Sequence, residues 1–273
     1  MAYRAWLYPH TAERNYQRML LALVKTMERS TMEHLNRLDL LHMDSWSDDL
    51  TALILFLLET FLAAGRSVTA RLPEVYAQVN QFNDQQWRLV TKAGTGLDIG
   101  PSGAIPAGAV PFGNVSAPGA IRARFGVGVD VYRSEPWLAA RQENWIAQNT
   151  ALIKSIPEQH MARVETIIRS GVMAGESPKS LAKKIQEATG ITENRAKLIA
   201  TDQIGKANGE LTKFRQQDLG IKEYIWKTSR DERVRPLHQE RQDVKFSWDN
   251  PPSDGPPGIP IRCRCSASPV FQT

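Results

Sequence analysis

The residue types best able to hold a metal or attack a substrate gather near the C-terminal end. Cys263 and Cys265 form a C-x-C and are the chain's two cysteines, and His238 precedes them. Thiolate and imidazole are the donors of tetrahedral zinc, so His238, Cys263 and Cys265 are candidate metal ligands. The set is one side chain short. Asp231, Asp249 and Asp254 lie within reach in sequence, and their spacing selects none of them. A plainer reading is a hydrogen-bonded histidine beside two buried thiols. A disulfide between Cys263 and Cys265 would close a very small, strained ring. Hydrolysis is the alternative chemistry: a three-ligand zinc with Glu240 close to His238, or a Cys/His nucleophile pair. No catalytic signature surrounds either arrangement, and the phosphate-cradling G-x-x-x-x-G-K-[ST] pattern is absent. The reading is a non-enzyme, with zinc as the candidate cofactor.

Arg230, Arg233, Arg235 and Arg241 cluster in the same stretch, with Arg262 and Arg264 further on. Such a group can neutralise phosphates, which makes the first four candidate nucleic-acid contacts. Asp231, Glu232, Glu240 and Asp243 are interleaved with them, so an internal ion-pair network competes with that reading.

The elements that would position these residues are short strands. Tyr224, Trp226 and Thr228 alternate with Ile225 and Lys227, a period-two pattern of β-formers. Val244, Phe246 and Trp248 alternate with Lys245 and Ser247. Asn250-Pro251-Pro252 then breaks regular structure, because proline lacks a donor and restricts its predecessor. A last strand would carry Cys263, Cys265 and Ala267 on one face. A β unit this small needs helices, a metal or a partner to complete its core.

The order and spacing of these elements resemble the C-terminal signature of the phage Mu F-like minor head protein (phage head morphogenesis) family. In that signature a Trp-bearing strand leads into a D-x-R-V-R-P-x-H turn, here Asp231–His238. A second strand, a proline-rich loop at Asn250–Pro260 and a terminal Cys-Arg-Cys follow. Upstream, Arg133–Leu138, Asn149–Pro157, Gly175–Pro178 and the I-A-T-D-Q-I-G-K-A-N-G run at Ile199–Gly209 continue the likeness, which covers roughly Gly119 to Phe271. Relatives often place a further histidine in the loop, where this chain has Pro256, so the ligand set the resemblance implies is incomplete here. Arg233 and Arg235 match the family's R-V-R-P, which suggests a structural role in the turn. The resemblance implies a minor head protein of a tailed bacteriophage. It would work through the phage portal protein and the major capsid protein, inside the virion near the portal, after assembly in the host cytoplasm. Packaged double-stranded DNA is the alternative partner.

Upstream the chain reads as α-helical. Thr11 and Ser47 are candidate caps of two helices. The second helix, with Leu50, Ile54, Leu57, Leu58 and Phe61, is apolar nearly all round and reads as central. Its apolar run is short for a membrane span and contains Glu59, so no membrane partner is expected. Pro73 suits the first turn of a third helix and Asp84 the cap of a short fourth, closed by Gly94. Gly94–Gly119 then holds eleven glycines and prolines and a single charge, the composition of a flexible loop or arm. Ile121, Phe125, Val127 and Val129 follow in the cleanest period-two run of the chain. They are candidate partner contacts, because an extended segment can pair with another chain's sheet edge. Further helices open at Ser134-Glu135-Pro136, at Pro157, and at Ser177-Pro178, the last closed by Gly190. Thr192 caps a final helix, closed by Gly220. Gly205 and Gly209 sit mid-helix there, which close packing against the β unit would explain.

At 273 residues with 42% apolar composition, the chain supports one or two domains with a real core. Its net charge of +5 permits contact with nucleic acid without demanding it. The start of the chain lacks the apolar core of a signal peptide. The fold class expected is α+β, in three parts: a helical region over 1–93, the Gly/Pro-rich segment 94–119, and a Mu F-like region of helices and a small β unit over 120–273.

Overall fold

The computed structural model describes residues 6–35, 46–96, 99–100 and 135–271. Ile121, Phe125, Val127 and Val129 lie outside the described residues, as does most of Gly94–Gly119. The described chain is α+β. It contains α1 (His10–Leu35), α2 (Trp46–Thr69), α3 (Leu72–Thr95), α4 (Leu138–Met173) and α5 (Pro178–Asp218). These are followed by β1 (Glu223–Lys227), the one-turn α6 (Pro236–Glu240), β2 (Lys245–Ser247) and β3 (Ser266–Pro269). Two compact units form. One comprises Glu13–Val75 and Glu143–Thr201, the other Met1–Ala12, Tyr76–Gln142 and Asp202–Thr273.

The helices are longer and fewer than the punctuation of the sequence suggests. Asp84 does not cap a new helix: α3 runs through it, because Val79, Asn83, Trp87 and Val90 form one buried stripe on both sides of it. Gly94 lies inside α3, and the helix ends at Gly96, whose φ is +76°. Pro157 does not open a helix but sits within α4. An interior proline costs about 3 kcal/mol. Burial of Ile153, Ile156, Met161 and Val164 around it offsets that cost. In the same way Gly190 and Thr192 lie inside α5, where Ile185, Ala188 and Ala196 are buried on either side. The Thr192 hydroxyl donates back to the Ala188 carbonyl instead of capping. Ser177 does cap α5, accepting from the Ser180 N–H, and Gly220 at φ +74° closes the turn after it.

In the first unit, Tyr16, Leu20, Val24 and Met27 of α1 are buried, as are Leu50, Ile54, Leu57 and Phe61 of α2. The Tyr16 hydroxyl donates to Asn149 Oδ1 at 2.8 Å, and the Thr201 hydroxyl donates to Glu13, so buried hydrogen bonds as well as apolar contacts pin this core. By length and composition the stretch Ser47–Thr95 suffices to cross a membrane. The structure differs from an all-round buried α2, for Leu55 and Phe56 are exposed.

In the second unit the sheet has the order β2-β1-β3, both pairings antiparallel. Tyr224 faces Phe246 across one ladder and Trp226 faces Ala267 across the other. Alternation along β1 therefore buries Tyr224 and Trp226 together with Trp248, Cys263, Cys265 and Ala267. The third strand starts later than expected, at Ser266, so both cysteines belong to the turn before it. Proline at 260 and the positive φ of Arg262 keep that turn out of the ladder.

Candidate metal centre

Four short pieces of chain converge on His238. Pro236 occupies the first turn of α6, where its missing donor costs nothing, and His238 follows two residues on. The Asn250–Pro260 loop brings Asp254. The turn before β3 brings Cys263 and Cys265, and β1 supplies Trp226, whose ring meets the imidazole edge-on at 5.1 Å. His238, Cys263 and Cys265 are all at most 5% exposed.

The loop is seated on α5 through glycines. A Cβ on Gly209 would lie 2.6 Å from the Pro257 carbonyl oxygen, and one on Gly205 2.8 Å from that of Cys263. Close approach of two backbones is thus the reason for both mid-helix glycines. Of the two polar residues on that face, Asp202 accepts from the Arg262 N–H, while Asn208 turns away to Asn83 of α3. Gln216 of α5 holds the sheet. It donates to the Ala267 carbonyl and accepts from the Trp248 indole.

At the centre, the imidazole is addressed from both sides. Its Nε2 lies 3.0 Å from Asp254 Oδ2. Its Nδ1 lies 3.8 Å from Cys263 Sγ and 3.7 Å from Cys265 Sγ. Since a carboxylate only accepts, the contact with Asp254 places a proton on Nε2 and turns Nδ1 toward the sulfurs. Asp254 is held in turn by Arg241, whose Nη1 donates to Oδ1 at 2.6 Å and whose guanidinium lies over Trp226. Burial opposes charge on Asp254, but hydrogen bonds from His238 and Arg241 prevail and hold its carboxyl below the ordinary range. The Cys265 thiol first, then His238 and the Gly258 N–H, stabilise a thiolate on Cys263 and pull it down to about 5. Sharing that proton, and burial, push Cys265 up. The hydrogen bond with Cys263 in turn raises His238.

These distances fit a metal. Zinc bonds sulfur at about 2.3 Å and nitrogen at about 2.0 Å, so tetrahedral ligand atoms stand roughly 3.5–3.8 Å apart. The three donor atoms lie within 4.8 Å of one another, with the nitrogen-to-sulfur edges already at the tetrahedral length. Of the three aspartates left open by the sequence, Asp231 turns to the Arg233 N–H, Asp249 is exposed, and Asp254 occupies the opposite ring nitrogen. Glu240 is exposed on α6.

The four arginines separate. Arg241 is buried within the cluster, and Arg235 donates to the Ile261 carbonyl. Arg233 pairs with Asp231 at the surface, and Arg230 is exposed. A second polar cluster escaped the sequence reading. Arg215, fully buried, donates from Nε and Nη2 to the two carboxylate oxygens of Glu135 at 2.8 and 2.9 Å and also donates to Asn80 and Asn83. Its one sequence signal is position, four residues after the buried Leu211 on the inner stripe of α5.

Fold and site together define a helical protein ending in a small antiparallel β unit, closed by a His/Cys/Cys cluster. Residues 162–268 match the family described as Phage Mu protein F like protein. Over this segment, 107 of the chain's 273 residues, the chain is similar to that family. An uncharacterized protein of Haemophilus influenzae (strain ATCC 51907 / DSM 11121 / KW20 / Rd) is 38% identical over 148 residues, 54% of this chain. The match spans 33% of that relative's length. No solved structure matches the chain.

Proposed function

We propose that this protein is a minor head protein of a tailed bacteriophage, a structural component rather than an enzyme. It acts at the portal and the inner capsid wall during head assembly. The observation that carries this reading is the Mu F-like match over residues 162–268, which contains β1, β2, most of β3 and the His/Cys/Cys cluster. The β unit serves as a rigid anchor, for Tyr224, Trp226 and Trp248 are buried in it and Gln216 bolts it to α5. Docking is assigned to Ile121, Phe125, Val127 and Val129 on their period-two pattern, which suits pairing with a sheet edge. The test is its place in the particle. Purified virions should contain the protein in far fewer copies than the major capsid protein and cross-linked to portal, and Val127→Asp should lower incorporation. Recovery of the wild-type protein only outside particles would overturn the assignment.

Packaged DNA is the competing partner, favoured by the exposed Arg230 and Arg233. Steeply salt-dependent DNA binding, weakened by Arg230→Ala with Arg233→Ala, would support it.

A further inference from the structure

We propose that His238, Cys263 and Cys265 bind one zinc ion through Nδ1 and the two sulfurs, with Asp254 as the carboxylate that orients the histidine. The role is structural: the ion ties α6 to the turn before β3 and so closes the chain from Pro236 to Ser266.

Three independent features of the geometry carry this. The two nitrogen-to-sulfur edges already stand near tetrahedral length, with His238 Nδ1 at 3.8 and 3.7 Å from the two sulfurs. A neutral thiol pair has no need of a histidine held at that distance from both. Next, the ring nitrogen turned away from the sulfurs meets a carboxylate at 3.0 Å, the arrangement that fixes tautomer and orientation in histidine–metal sites. Arg241 then clamps that carboxylate from its far oxygen. Lastly, the Gly258 N–H donates to Cys263 Sγ at 3.5 Å, a contact that favours sulfur as thiolate, the form a metal binds.

The burial of all three donors decides between a fortuitous cluster and a built site. A group at most 5% exposed cannot be arranged by solvent, and each of these is placed by a different short element. The sheet beside them has strands of five, three and four residues. A sheet so small is seldom stable without a staple, and a metal is one such staple. Three protein donors leave one tetrahedral position for a fourth ligand. The inference rests on these donors alone and stands whatever the protein's place in a particle.

The experiment uses the full chain, purified under reductant without chelator. Elemental analysis should give about one zinc per chain. Replacement by Co²⁺ should produce thiolate-to-cobalt absorption in the near ultraviolet and the intense visible bands of a tetrahedral site. Cys263→Ser and Cys265→Ser should each remove or weaken the near-ultraviolet band. Because those variants risk misfolding, Asp254→Asn is the discriminating one, since it leaves all three donors in place. Competition against a chromophoric chelator should show its zinc affinity reduced 10- to 100-fold at unchanged far-ultraviolet circular dichroism. A folded wild-type protein with two free thiols, no zinc and no cobalt spectrum would overturn the site. Unchanged affinity in Asp254→Asn would overturn the role given to Asp254. Cobalt bands that persist in both serine variants would place the ion elsewhere and refute the ligand set.

Discussion

Gly258 of the proline-rich loop lies so close to Gly209 of α5 that a Cβ on Gly258 would stand 2.9 Å from the Gly209 Cα. Gly258 itself adopts φ +92°, a conformation glycine takes without strain. The contact is backbone on backbone, so no side chain can move aside to relieve it.

That relationship reverses the usual sign of a helix substitution. Gly→Ala in a helix interior ordinarily stabilises by about 1 kcal/mol. At Gly209 the new methyl would meet the Pro257 carbonyl oxygen at 2.6 Å, and overpacking costs typically 1–3 kcal/mol. Gly209→Ala should therefore lower the melting temperature. Gly190→Ala is the internal control, because nothing lies within 4 Å of its Cβ, and it should raise stability. Thermal unfolding of the two variants checks the pair. A stabilised Gly209→Ala would show that the loop does not rest on α5.

The Arg215–Glu135 pair is buried, with side chains 0% and 2% exposed. Breaking such a pair strands a charge away from water and costs about 3–5 kcal/mol, whereas replacing both partners by apolar groups is far milder. Glu135→Gln and Arg215→Met should each be strongly destabilising, and Arg215→Met with Glu135→Met less so than the sum of the singles. A double-mutant cycle in denaturant measures this. Additive losses would mean the two charges do not depend on each other.

Stability should fall in mild acid because of His160. It is fully buried, with Nδ1 3.1 Å from the Thr192 hydroxyl and Nε2 without a partner. Burial first, then the charge of Arg163, lowers its pKa from the ordinary 6.5 to about 4. Between those values the unfolded chain takes up a proton that the folded chain refuses, so stability is lost as pH falls from 6.5 toward 4. By pH 4.5 the loss from this group is about 2–3 kcal/mol. Urea unfolding at pH 7 and 4.5 should show a smaller difference in His160→Gln than in the wild type. Equal differences would remove His160 as the cause.

How far the sequence could be read follows from what each feature depends on. The alternation around Trp226 is local, so β1 and its buried aromatic face were legible. Gly205 and Gly209 were legible as a close approach, since both break helix propensity without ending the helix. Pro157, Gly190 and Asp84 misled, because they punctuate local structure, whereas burial of Ile153, Ile185 and Val79 is decided by tertiary packing. His238, Cys263 and Cys265 were legible as a set from donor chemistry. The part played by Asp254 was not, because the path of a loop between two prolines, not spacing, decides which ring nitrogen a carboxylate meets. Glu135 and Arg215 are 80 positions apart, and no local pattern joins them.

Gln216 offers the sharpest test of how the β unit is held. It is fully buried, donates from Nε2 to the Ala267 carbonyl at 2.8 Å, and accepts at Oε1 from the Trp248 indole N–H at 3.1 Å. One side chain thus ties β3 and the residue after β2 to α5. Gln216→Leu keeps most of the volume but leaves an indole donor and a backbone acceptor buried without partners, at about 1–3 kcal/mol each. Gln216→Glu is the more informative change. A carboxylate still accepts from Trp248, but it cannot donate to Ala267 and brings a charge into a buried site. Both variants should therefore unfold at lower denaturant than the wild type, with Gln216→Glu losing further stability as pH rises and the buried carboxyl is driven to ionise. Amide exchange of β1 and β3 should quicken in both. Wild-type stability and exchange in Gln216→Leu would show that the sheet is held by its aromatic contacts alone.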